Sequence, residues 1–187
     1  MGNPEAFQHI LDAHKYYTQL RYEYWITYEA YTPIWWFLLI AWIMPWIIWW
    51  LLVDRRRLVE ISFYGLVVMF VTTTLNAIGS VQNLWTYTIK LIPFTPHLEP
   101  IDWSILPITY MLIFQYYPSW RQFLAAQTVI AILYSFIGEP FTIYLLGAYL
   151  PLDWSYLYSL PIYIVLASVP RAITELLFRL ERKAGNP

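Results

Sequence analysis

The sequence predicts an all-α integral membrane protein of about five transmembrane helices, preceded by an amphipathic N-terminal helix outside the cytoplasm. Three observations lead there. The twenty-one residues from Pro33 to Val53, PIWWFLLIAWIMPWIIWWLLV, carry no charge and stop against Asp54-Arg55-Arg56-Arg57. As a helix that run is about 31 Å long, close to the hydrocarbon thickness of a bilayer. A soluble core helix has no reason to be apolar on every face for that length. The whole chain is 59% hydrophobic and 12% charged, against about 25% charge in soluble domains. Its eleven Trp and seventeen Tyr are amphipathic rings that favour the headgroup level, as a small polytopic protein requires.

Each element has a local reason. Residues 1–32 read as the amphipathic helix. Asn3-Pro4-Glu5 supplies a side-chain cap, a proline at the first helical position and an acid near the positive end of the helix dipole. Phe7, Ile10, Leu11, Leu20, Tyr24 and Trp25 form a ragged apolar stripe. It fits either packing on the chain's own domain or a membrane-surface or partner-binding role. Residues 33–170 read as the five-helix domain. In the first span, Pro45 is expected to kink the helix or to be relieved by a neighbour. In the second, Leu58 to Ser80, the residues Gly65, Thr72, Thr73, Asn76, Gly79 and Ser80 recur at helical spacing, a stripe that normally packs helices in lipid. Asn76 fits that packing role or a pathway lining. Residues 81–100, with three prolines, read as a loop.

The third span, Trp103 to Tyr117, is only about 22 Å long and needs shielding or a thinned bilayer. The fourth begins after Arg121, and Glu139-Pro140 leaves its end open. The fifth runs from Trp154 to Val169, and residues 171–187 read as a short cytoplasmic tail. With five spans, one side of the membrane receives eight Lys and Arg and the other three. The positive-inside rule then puts the N-terminus outside and the C-terminus in the cytoplasm.

Pro100-Ile101-Asp102-Trp103-Ser104-Ile105-Leu106 recurs as Pro151-Leu152-Asp153-Trp154-Ser155-Tyr156-Leu157. Asp102 and Asp153 read as outer helix caps, with Trp103 and Trp154 as interfacial anchors. Two origins stay open: a parallel repeat of two hairpins, 58–118 and 121–170, of the kind known in transporters, or convergence of two helix starts on one cap chemistry.

Candidate chemistry is sparse. Glu139 is either an acid at a helix end or a buried acid; a charge at the bilayer centre costs about 2.5–3.5 kcal/mol, so a deep carboxyl is protonated or paired. Asn76 and Gln115 complete the candidate intramembrane polar set. Glu60 lies one turn from Arg56 and Arg57 and reads as their ion-pair partner. Asp54, Arg55, Arg56 and Arg57 set topology and suit anionic headgroups. His9, His14 and His97 are not spaced as metal ligands, so no metal and no cofactor is expected. No phosphate loop or nucleophile elbow is present. Cysteine is absent, so there is no disulfide or thiolate site. A net charge of −1 without a basic patch gives no sign of nucleic-acid binding. No cleavable signal is expected ahead of the first span.

The segments Asp54-Arg55-Arg56-Arg57-Leu58 with Glu60, Leu106-Pro107 leading to Tyr110-Met111-Leu112, Gln115-Tyr116-Tyr117-Pro118-Ser119-Trp120, Phe136-Ile137-Gly138-Glu139-Pro140 and Tyr158-Ser159-Leu160-Pro161-Ile162-Tyr163 together resemble a family of small polytopic membrane proteins of Bacillus- and Clostridium-type bacteria. The resemblance covers about residues 33 to 170. It implies a bacterial plasma-membrane location and transfers no catalytic residue. The leading expectation is a non-enzymatic structural or partner-binding component of the envelope, embedded in the lipid bilayer and joined to a membrane-protein partner or to its own copies. The alternative is a small transporter or channel subunit that uses Glu139.

Overall fold

The computed structural model describes residues 3–184; the remaining residues of the N-terminal segment and of the tail lie outside them. Helix α1, Pro4–Tyr24, starts where Asn3 Oδ1 accepts the backbone N–H groups of Glu5 and Ala6. It runs into a π-helical turn, Trp25–Glu29. The chain then turns through Tyr31, whose φ of 62° is left-handed. Thr32 caps α2, Pro33–Leu52, by accepting from the Trp35 N–H. Helix α2 continues through Pro45. Ser104 supports the preceding turn by donating to the Trp42 carbonyl, and Trp46 Nε1 donates to the Trp103 carbonyl. A 3-10 turn at Arg55–Arg57 leads to α3, Leu58–Val81.

Four helical stretches are long and apolar enough to cross a membrane: Pro33–Leu52, Arg55–Val81, Trp120–Leu145 and Tyr156–Ala184. The shorter α4, Leu106–Tyr116, follows a π-helical turn at Ile101–Ile105 and sits between them, with seven of its eleven residues buried. Its brevity has a physical reason: α4 is the hub of the bundle, and its neighbours cover it. Tyr64 of α3 stacks on Phe114 at 4.5 Å, and Ile61, Val68, Tyr110, Met111, Phe123, Leu166 and Ala167 complete the core. A Cβ at Gly65 would collide with the Met111 side chain, so the small-residue stripe of α3 is what lets α4 approach.

One helix end that the sequence left open is resolved, and one expected end is corrected. The run containing Glu139-Pro140 does not break there. Helix α5, Trp120–Leu133, continues through two π-helical stretches, Tyr134–Gly138 and Phe141–Leu145, that flank the dipeptide. Their wider turns hold a residue without an N–H inside a continuous helix. Likewise the tail is not separate from the last span. Helix α6, Tyr156–Ala184, is unbroken through Pro161 and Pro170. Ser168 and Thr174 bond back to the carbonyls of Ile164 and Pro170, four residues earlier on the same helix.

The loop regions hold an element with no sequence signal. Strands β1, Trp85–Tyr87, and β2, Tyr149–Pro151, pair antiparallel, with Thr86 opposite Leu150. They clasp the loop after α3 to the loop before α6. Left-handed Asn83 and Gly147 (φ 57° and 60°) turn the chain into it, as those residue types allow. The Trp85 ring fills the space beside Gly79, where any Cβ would collide. The bundle thus has a clasp end and, opposite, an arginine end at Arg55–Arg57.

Candidate functional site

The face of α6 that packs on α3 and α5 carries Ser159, Tyr163, Ala167, Arg171 and Glu175, four residues apart. At helical rise they extend over about 24 Å. Facing them on α5 and its π-helical extension are Gln127, Ala131, Ser135 and Glu139, again four apart. The two rows form a polar seam along the bundle, broken by Ala131 and Ala167.

At the clasp end the Tyr163 hydroxyl donates to Glu139 Oε1 at 3.0 Å, and Trp154 Nε1 donates to Ser159 Oγ at 2.9 Å. Deeper in, the Tyr163 carbonyl accepts from both the Tyr110 hydroxyl and Gln127 Nε2. Gln127 Oε1 and Ser135 Oγ are fully buried and have no partner among the described residues. Below them the Tyr64 hydroxyl donates to the Ala167 carbonyl. At the arginine end Arg171 is 1% exposed. Its Nε donates to Glu175 at 2.7 Å, and its other nitrogens to the carbonyls of Tyr117 and Pro118. Phe123 and Trp120 cover its guanidinium face at 4.4 and 4.7 Å. Trp120 Nε1 also donates to Glu175.

A second network joins the seam's clasp end to the loops. Asn76 Nδ2 donates to Asp102 Oδ2 at 2.6 Å, while its Oδ1 accepts from Trp85 Nε1 and the Tyr87 hydroxyl. Asp102 is therefore not the helix cap the sequence suggests: it lies inside the π-helical turn, 3% exposed, with a side-chain partner on α3. Its Trp103 donates to Thr73 Oγ1. Asp153 is exposed and precedes α6 by three residues; Ser155 Oγ takes the Leu157 N–H there. The two PxDWSxL copies thus occupy unlike positions, one opening a buried helix and one leaving a strand.

Beside the clasp end, Glu29 anchors α1. Its carboxylate takes both guanidinium nitrogens of Arg21 and the Lys90 backbone N–H. Lys90 Nζ donates to the Thr95 carbonyl, and Thr95 Oγ1 donates to Glu99. Burial, with the Arg21 charge adding to it, pushes the Lys90 ammonium down to about 8. Burial raises the Glu99 carboxyl and lowers the His97 imidazole, the latter helped by Lys90. Both His97 nitrogens are buried without a partner among the described residues.

Gln115 belongs elsewhere. It bridges the arginine ends of α4 and α2, accepting the Asp54 N–H and donating to the Leu52 carbonyl; it does not reach span four. Asp54 Oδ1 caps the arginine turn through the Arg56 N–H, Arg57 pairs with Glu60 at 3.0 Å, and Arg55 lies over Trp50. Sequence reasoning named Glu139 but missed Tyr163, Arg171, Gln127 and Ser135. The usable signal was the four-residue spacing of polar residues on each of the last two helices. Among the described residues no three His, Asp or Glu side chains are grouped to hold a metal. No protein-family model, curated protein or solved structure matches the chain.

Proposed function

We propose that the chain is a multi-pass protein of a bacterial plasma membrane, with its N-terminus outside and its C-terminus in the cytoplasm. In this reading it works without enzymatic chemistry, as a small transporter or channel subunit built on Glu139. The four apolar helices support insertion, the Lys and Arg asymmetry supports the orientation, and the family resemblance supports the bacterial location. One observation carries the functional step: Glu139 faces into the bundle, held by Tyr163, at one end of a polar seam whose other end is the buried Arg171. Ionisable groups inside apolar helices are expensive, and they mark pathways when they line up. The test is vesicle flux of protons, sodium or rubidium with purified protein. A flux that Glu139→Gln abolishes, with the fold retained by circular dichroism, is expected. A fully active variant would count against the reading.

A second reading, a partner-binding envelope component, is favoured by α1. No residue of that helix is buried, and Phe7, Ile10 and Tyr17 stand exposed. It is held only near its end, where Arg21 meets Glu29 and Trp25 Nε1 donates to the Lys90 carbonyl. If α1 is a docking helix, photo-crosslinkers at Phe7 and Ile10 trap one discrete membrane-protein product in cells, and Phe7→Asp removes it.

A further inference from the structure

We infer that the chain holds one anionic phospholipid on α2, with an acyl chain in a tryptophan-walled groove and the headgroup phosphate at Arg55 and Arg56. The inference needs the chain to sit in a bilayer and does not rest on the transport reading.

The groove is an open hollow of about 490 Å³ lined by Trp42, Ile43, Trp46, Ile47 and Trp50. Its three tryptophans recur every four residues, so they stand in one row along the helix. Two of them are fixed from behind. Trp46 Nε1 donates to the Trp103 carbonyl, and the Trp42 ring packs on Trp103 at 6.2 Å. From Trp42 to the end of α2 at Leu52 is ten residues, about 15 Å. That is half of a hydrocarbon core about 30 Å thick, the depth of one leaflet. An acyl chain entering at the arginine end runs the length of the groove within its own leaflet.

The charge stands where the headgroup falls. Arg57 pairs with Glu60 and Arg171 with Glu175. Arg55 and Arg56 are exposed and have no ion-pair partner among the described residues. The Arg55 guanidinium lies over the Trp50 ring at 5.5 Å, so the last wall of the groove and the first cation are in contact. A guanidinium resting on a ring face keeps its N–H edge open to a phosphate. Asp54 turns its Oδ1 to the Arg56 N–H. Two guanidiniums against that one carboxylate leave a net positive charge, which favours a net-negative headgroup over a zwitterionic one. Toward the other end of α2 the cations are engaged, Arg21 by Glu29 and Lys90 by the Thr95 carbonyl. The groove therefore has one polarity.

The shape of the face selects a lipid over a protein helix. Helices pack in bilayers through small residues that let their backbones approach. From Pro33 to Leu52 the chain has no Gly, Ser or Thr, and its single alanine, Ala41, does not line the groove. The ridges are Trp and Ile, and a flexible acyl chain follows such a surface where a rigid helix cannot.

The test is native mass spectrometry of the full purified chain in detergent, with equal amounts of phosphatidylglycerol and phosphatidylcholine of matched acyl chains. The expected spectrum carries one bound phosphatidylglycerol in clear excess over phosphatidylcholine. The preference should fall by about tenfold or more in Arg55→Gln/Arg56→Gln, as loss of two cations at an anionic headgroup predicts. It should be kept in Arg179→Gln/Arg182→Gln, which removes the same charge elsewhere at that end. Ile47→Trp, which fills the groove, should lower binding of both lipids, and circular dichroism checks that each variant folds. If the double variant at Arg55 and Arg56 does not fold, Ile47→Trp and Trp50→Leu carry the test. Equal retention of the two lipids overturns the headgroup site. A preference unchanged in Arg55→Gln/Arg56→Gln, or lost as fully in Arg179→Gln/Arg182→Gln, overturns its location. Displacement of the lipid by chainless glycerophosphoglycerol or by inorganic phosphate at equal concentration means an anion site only and overturns the groove. A dimer that Ile47→Trp abolishes puts a second copy on α2 and overturns the lipid.

Discussion

Tyr163 donates its hydroxyl to Glu139 at 3.0 Å, from α6 to the π-helical extension of α5. The pair joins two continuous helical stretches that each contain a proline, Pro140 and Pro161, and it turns a carboxyl toward the bundle. Removing one partner leaves the other poorly matched. Tyr163→Phe should destabilise the protein in detergent by about 1–2 kcal/mol, the loss that follows when a buried acceptor goes unpaired. Thermal unfolding followed by circular dichroism checks it, and an unchanged midpoint would show that the bond contributes nothing.

Arg171 predicts a larger effect. Its charge is buried, and Glu175 is its ionic partner. Breaking such a pair from one side is expected to be strongly destabilising, about 3 kcal/mol. Glu175→Ala should therefore lower the unfolding midpoint more than Glu60→Ala does, because the Arg57–Glu60 pair is more exposed and exposed pairs contribute about 0–1 kcal/mol. Equal effects would contradict the placement of Arg171.

Gly65 and Gly79 have no room for a methyl group, against Met111 and Trp85 respectively. Alanine at either site is expected to cost about 1–3 kcal/mol by overpacking. The two should differ in kind. Gly65→Ala pushes on the core, while Gly79→Ala displaces Trp85 and opens the clasp, which faster hydrogen exchange at Tyr87 and Tyr149 would report.

Much of this was legible in the chain, and what was not has identifiable causes. The end of α2 and the start of α3 followed from charge: nothing between Pro33 and Val53 ionises, and Asp54-Arg55-Arg56-Arg57 stops the run. The Asn3 cap was equally local. Glu139-Pro140 left the end of the fourth span open, and the fifth was ended at Val169, because the signal for a break is local, while the π-helical turns and tertiary packing that carry the helices on are not. Arg171 read as tail because a cation beside an apolar run normally marks the membrane edge; only the carbonyls of Tyr117 and Pro118, more than fifty residues away, make it a core residue. The clasp has three-residue strands, too short for an alternation to show.

The loop under α1 should be pH-sensitive with a definite sign. His97 is buried and its folded value is lowered, so the unfolded chain binds the proton better. Its contribution is intact above the ordinary imidazole value of 6.5 and is lost as pH falls below it. Glu99, raised from 4.5, acts in the opposite sense: its contribution is present below that value and is lost as pH rises through the higher folded one. In a Glu99→Gln background, mild acid should therefore release the loop, read as protease cleavage near Tyr31, and His97→Phe should suppress the release. Cleavage that ignores His97 would contradict the assignment.

Glu139 itself gives the most direct measurement, because the chain has no cysteine of its own. A single cysteine is placed at Glu139, with Asp153→Cys as the exposed control. A membrane-impermeant maleimide is added to intact cells, then a small permeant thiol reagent. The expected result is labelling at 153 by the impermeant reagent, and at 139 only by the small permeant one. Ready labelling of 139 by the impermeant reagent would make Glu139 a helix-end acid at the surface and contradict a carboxyl turned into the bundle.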